Sequence, residues 1–184
     1  MANGIAAADR LVLLRLARAT VDAAVCARPL PPVIGGAVLT VRAGAFVSLH
    51  CAGQLRGCIG HAEHQLPLGE VIVDCAAAAA LRDPRFPPVL PAELPQIVIE
   101  LSVLTPLVPI ARLEEIDVGR HGLVVAHRGR RGLLLPQVAG DRGWTREEFL
   151  RQTCRKAGLA DRAWRQGAQI FAFEAEIFGE VDHG

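Results

Sequence analysis

Gln54-Leu55-Arg56-Gly57-Cys58-Ile59-Gly60 is the stretch around which the rest of this chain is read. Upstream, Ala45 to Cys51 has strand character, and Ala52-Gly53 between the two stretches reads as a turn, so the pair predicts a β-hairpin. A two-residue loop sets Cys58 opposite Val47 and Arg56 opposite Leu49; a longer loop shifts the partners, and a slip of one residue exchanges the faces. Strand alternation puts Arg56 and Cys58 on one side. Chemistry at Cys58 is then expected to run through a thiolate favoured by a cationic neighbour. Glycine leaves the backbone bare on either side. The expected catalytic pair is Cys58 and Arg56, with backbone donors near Gly57 and Gly60 holding developing negative charge or substrate.

Working outward, Ala7 to Cys26 predicts an amphipathic helix, with Leu11, Leu14, Val21 and Val25 on its apolar side and Arg18 four residues before Asp22. Pro67 to Arg82 predicts a second helix, nearly pure alanine from Cys75 to Leu81 and therefore buried on most sides. Asp83-Pro84 ends it. Arg85 is left as a candidate ligand for an anion. Ile97 to Leu104 alternates as a strand, with Glu100 the one charge inside it, in need of a partner such as Arg85 or Arg56. Pro106 to Gly143 reads as a small β-rich subdomain. Thr145 and Glu148 form a capping-box pattern for a helix ending at Gly158. Ile170 to Glu180 reads as one closing strand, with Phe171, Phe173, Ala175 and Ile177 on one face.

Composition narrows the function classes. The chain has 184 residues, 51% hydrophobic and 21% charged, enough for a domain with a core and a small subdomain. The net charge is +1, without the excess expected of a nucleic-acid binder, and Lys156 is the only lysine. The densest cluster is Arg128, Arg130 and Arg131, at a predicted hairpin tip. No apolar run reaches the roughly 18 residues of a membrane span, and charges break the N-terminal segment, so the expected compartment is the cytoplasm.

Five cysteines at irregular spacing are neither a disulfide framework nor a zinc ribbon. Cys26, Cys75 and Cys154 read as small buried residues on helices. Cys58, His61 and His64 have ligand chemistry at C-x2-H-x2-H spacing, but it is too tight for a finger and lacks a fourth ligand unless His50 or Cys51 across the hairpin completes it, so no metal is assigned. His121, between Gly119-Arg120 and Gly122, and Gln137 after Pro136 are the remaining substrate-binding candidates. No cofactor is indicated.

The words Phe46-Val47-Ser48-Leu49, Leu55-Arg56-Gly57-Cys58-Ile59-Gly60, Asp83-Pro84-Arg85-Phe86-Pro87-Pro88, Gly119-Arg120-His121-Gly122-Leu123, Leu134-Leu135-Pro136-Gln137 and Cys154-Arg155-Lys156-Ala157-Gly158-Leu159 occur in the order seen in one family. From about residue 10 to residue 180 the chain resembles the AMMECR-type domain, protein A of the AmmeMemoRadiSam system. The resemblance implies an α+β fold, with an antiparallel sheet flanked by helices and a smaller inserted β-rich subdomain. The expected division is 1–105 with 144–184 for the large domain and 106–143 for the small one. It also implies association with a Memo-like protein and a radical SAM protein. It implies no reaction, and at His61, where it predicts a small polar residue, it lends the metal reading nothing. The residues themselves point to a thiol-dependent enzyme acting on a small polar substrate through Cys58, or to a non-catalytic adaptor presenting the same hairpin to a partner.

Overall fold

Alternation along Ala45–Cys51 decides which face of the first sheet is core: Ala45, Val47 and Leu49 are fully buried, while Phe46, Ser48 and His50 are half-buried on the other side. The computed structural model describes residues 4–62 and 65–180. In chain order it contains α1 (Ala7–Val25), α2 (Ala37–Thr40), β1 (Ala45–Cys51), β2 (Gln54–His61), α3 (Leu68–Leu81), β3 (Ile97–Leu104), β4 (Val108–Pro109), β5 (Gly122–His127), β6 (Arg130–Leu134), α4 (Pro136–Gly140), α5 (Arg146–Lys156), β7 (Gln169–Phe173) and β8 (Ala175–Gly179). The strands form two four-stranded antiparallel sheets, ordered β2-β1-β3-β8 and β4-β7-β5-β6, so the fold is α+β.

Two compact units result. The first comprises residues 1–104 and 176–184; the second comprises 105–175. This differs from the expected division: residues 144–175, assigned from sequence to the large domain, pack in the second unit. The reason is α5, whose Phe149, Leu150 and Cys154 are buried in one cluster with Leu123 and Val125 of β5 and Ile170 and Ala172 of β7. The single closing strand also divides. The Glu174 carbonyl accepts the Thr105 N–H and its own N–H donates to Thr105 Oγ1, both at 2.8 Å, which separates β7 from β8. The face then shifts: Phe173 and Phe178 are buried and Ile177 is exposed.

In the first unit α1 and α3 cover the core face of the sheet with Leu13, Ala17, Val21, Val71, Ile72, Ala76 and Ala79, all nearly inaccessible. The buried stripe of α1 runs through Leu13 and Leu14; Leu11, expected inside, is 54% exposed, and Cys26, expected buried, is exposed beyond the last turn. Cys75 and Cys154 are buried as expected. The alanines of α3 matter for the hairpin. A Cβ on Gly57 would lie 2.2 Å from the Ala79 carbonyl oxygen, so the strand approaches the helix backbone closely only because residue 57 has no side chain. Gly60 is constrained likewise by the Phe46 ring, 2.2 Å from its hypothetical Cβ.

At the start of α5 the Thr145 hydroxyl accepts the Glu148 N–H at 3.3 Å. Only that half of the expected capping box forms, because the Glu148 carboxylate is held by Gln152 and Arg151 instead. Gly158 follows the helix at φ +67°, the left-handed position glycine favours. No described helix is long and apolar enough to cross a membrane.

Candidate functional site around Cys58

The hairpin register differs from both simple alternatives. Cys58 lies opposite Ser48, Gly57 opposite Leu49, and Leu55 opposite His50. Arg56 therefore has no partner on β1: it is the extra residue of a β-bulge, and the alternation that would align it with Cys58 is interrupted there. Its guanidinium turns to Glu93 instead, with bonds of 2.8 and 3.1 Å, and to the carbonyls of Pro87 and Pro88. Arg56 thus ties the edge strand to the turn before β3, and its guanidinium bonds go there rather than to Cys58.

The cation at Cys58 is Arg85. Because β2 is an edge strand, Cys58 presents its outward N–H and carbonyl to the segment after α3. Its N–H donates to Asp83 Oδ2 at 2.8 Å, and its carbonyl accepts from Arg85 Nη2 at 3.1 Å. Arg85 closes on Asp83 with bonds of 2.9 and 2.6 Å, a bidentate pair, and its own N–H adds a bond of 3.1 Å. Asp83 is 4% exposed. The Arg85 guanidinium first, and the N–H groups of Cys58 and Arg85 after it, hold its carboxyl well below the usual carboxylate range against the opposing effect of burial. Arg85 is in turn held more firmly charged, chiefly by Asp83 and to a smaller degree by the Cys58 side chain. Asp83 and Arg85, on either side of Pro84, thus substitute for a neighbouring strand at Cys58.

On the half-buried face of the sheet Cys58, Ser48 and Glu100 form a row across β2, β1 and β3, each opposite the next. Ser48 Oγ donates to Cys58 Sγ at 3.3 Å. Glu100 makes no ion pair among the described residues, Arg56 and Arg85 being committed to Glu93 and Asp83. His50 follows Ser48 on the same face, and its Nε2 is buried with no hydrogen-bond partner. Cys58 is half-buried rather than sealed in the core. Ser48 and Asp83 were missed as site members by sequence reading, and His50 was weighed there only as a residue to complete a metal site; the period-2 pattern of β1 was the signal available for Ser48 and His50, since polar residues there mark the face away from the helices.

The remaining candidates have partners of their own or belong to the second unit. Gly57 serves close packing, and the Cys58 N–H beside it is already given to Asp83. His61 turns to Asp74 of α3 at 2.9 Å, and Arg82 reaches the same carboxylate at 3.1 Å. His61, Asp74 and Cys75 bring ligand atoms within 4.8 Å of one another. Burial, then Asp74, pushes the Cys75 thiol up to about 12, so it is held protonated at neutral pH. Cys58 is not part of this group, and His64 lies outside the described residues. His121 and Gln137 belong to the second unit: His121 Nδ1 accepts the Asp117 N–H at 3.1 Å, and the buried Gln137 Oε1 has no partner.

Comparison with known proteins places the chain in a family. Residues 14–178 match the AMMECR1 family. A Thermofilum pendens protein is 43% identical, over 96% of this chain and 92% of its own length. One from Methanosarcina acetivorans is 42% identical, over 83% and 77%. The crystal structure of an uncharacterised Pyrococcus horikoshii protein superposes with a TM-score of 0.83 at 40% identity, covering 92% of this chain and 90% of that one. With residues 14–178 matched and relatives more than 40% identical over most of both chains, the chain belongs to the AMMECR1 family.

Proposed function

We propose that the protein is a thiol-dependent enzyme, or the catalytic subunit of one, acting on a small polar substrate through Cys58. The observation that carries this reading is the Cys58 sulfur itself. The residue is half-buried on a sheet face, its sulfur takes a bond from the Ser48 hydroxyl, the Arg85 guanidinium is held on its carbonyl, and it stands in one row with Glu100, which makes no ion pair among the described residues. In this reading Cys58 is the nucleophile and Arg85 attracts an anionic group of the substrate. Ser48 holds the sulfur in place, and Glu100 and His50 are the polar groups available for proton transfer. Iodoacetate and iodoacetamide differ in charge and alkylate the same thiol. At Cys58 the ratio of their rates should exceed the ratio for N-acetylcysteine. An equal ratio, or no labelling of the folded protein, ends the enzyme reading.

A second reading is favoured by the occupied backbone donors. The Cys58 N–H is spent on Asp83, and Gly57 is wedged on Ala79, so the main-chain donors expected to hold developing charge are not free there. The hairpin is then a rigid surface for a partner, the expected kinds being a Memo-like or a radical SAM protein. Retention of such a partner by Cys58→Ser protein that has lost no measurable reaction favours the adaptor.

A further inference from the structure

Three side chains with metal-ligand chemistry meet where the end of β2 lies against the middle of α3. His61, the last residue of β2, sets its Nε2 at 2.9 Å from Asp74 Oδ2. Cys75, the next residue of α3, is fully buried and brings its sulfur from the core side. The three ligand atoms all lie within 4.8 Å of one another, and no other such group of histidine, cysteine, aspartate or glutamate occurs among the described residues.

Packing and surface charge do not by themselves account for the trio. His61 and Asp74 are 47% and 52% exposed, and an exposed ion pair contributes little to stability. Cys75 stands at the head of the buried run Ala76 to Ala80, where a methyl group is enough to fill the core. Its sulfur is not wrapped in hydrocarbon alone. Burial, then Asp74, raises the thiol, but the His61 backbone N–H faces the sulfur and favours its thiolate. One sulfur, one imidazole nitrogen and one carboxylate oxygen suit zinc, whereas magnesium and calcium take oxygen ligands. Tetrahedral zinc at its usual bond lengths holds such atoms roughly 3.3–3.8 Å apart. The exposed His61 and Asp74 side chains can rotate to that spacing, while α3 holds Cys75 in place.

We propose that His61, Asp74 and Cys75 bind a zinc ion that joins the end of β2 to α3 and keeps one coordination position open to water. On binding, the Cys75 S–H bond breaks, its proton passes to solvent and the sulfur electron pair goes to the ion; His61 ligates through its neutral ring. Thiolate and carboxylate together cancel the double charge of the ion. Arg82, which holds Asp74 Oδ1 at 3.1 Å, therefore stands beside a neutral centre and orients the carboxylate from outside. Cys58 supplies no ligand, so the site is independent of the Cys58 reading.

The test is optical titration of the full chain, reduced and stripped of metal, with cobalt(II), the spectroscopic substitute for zinc. Wild type should take up cobalt stoichiometrically with a near-ultraviolet thiolate charge-transfer band, and added zinc should bleach it. Cys75→Ala extends the alanine run, so it should fold and lose the band. Cys58→Ser should keep the band. His61→Gln reads the site without touching the core. Loss even of an outer-shell partner costs roughly 10–100-fold in metal affinity, so this variant should bind cobalt at least about tenfold more weakly. A wild type without the band overturns the proposal. So does a band that survives Cys75→Ala or disappears in Cys58→Ser, or an affinity unmoved by His61→Gln.

Discussion

Asp83, buried at the end of α3, takes the backbone N–H of Cys58 in a 2.8 Å bond while Arg85 grips the same carboxylate and the Cys58 carbonyl. One acidic side chain thus fixes both the Cys58 backbone and the Arg85 guanidinium beside it. The arrangement is local in the turn and long-range at the strand, which is why it is open to test by substitution.

Asp83→Asn should destabilise the fold by about 1.5–3 kcal/mol at neutral pH, the loss of hydrogen bonds to a charged group. The pH dependence has a definite sign. The native carboxyl is depressed, so its contribution is complete above the unfolded value of about 3.9 and is lost as pH falls below that toward the native value. Denaturant midpoints should show the gap between wild type and variant closing in acid. A gap independent of pH would contradict the pairing.

Gly57→Ala should cost about 3 kcal/mol or more, because the new methyl meets the Ala79 carbonyl, a backbone atom that cannot swing aside. Gly53→Ala is the comparison: at φ +76° with open space around it, it carries only backbone strain, about 1–2 kcal/mol. Urea denaturation of the two variants gives the ordering.

Arg56→Ala should reduce stability by about 1.5–3 kcal/mol through the lost bonds to Glu93, Pro87 and Pro88, and Arg56→Lys should recover little because the fork geometry is gone. The rate of Cys58 alkylation in the folded variant should be near that of wild type. A selective fall in that rate would return Arg56 to the site.

Alkylation of the folded protein should modify Cys26 and Cys58 and spare Cys75 and Cys154, which are fully buried. Cys75 is doubly protected, since burial also holds its thiol up at about 12. Peptide mass spectrometry before and after denaturation reads all of these sites at once.

Much of the fold is legible in particular residues. The alanine run of α3, the alternation of β1 and β3, and Thr145 ahead of α5 are local signals, because helix propensity, strand periodicity and capping act over a few residues. The break at Glu174 is not legible. It depends on a pairing with Thr105, 69 residues away, and the apolar pattern from Ile170 to Phe178 reads equally well as one strand.

The sequence alone determined that Cys58 sits between glycines on a hairpin strand, and that Asp83-Pro84 stops a helix with Arg85 beyond it. Tertiary structure decided which arginine stands beside the cysteine. Arg56, two residues away, is carried off by a bulge to Glu93; Arg85, 27 residues away, is delivered by the turn after α3. The physical reason is that a bulge and a docked turn are settled by packing and by unpaired edge-strand groups seeking partners. Neither is written into the spacing of residues along the chain.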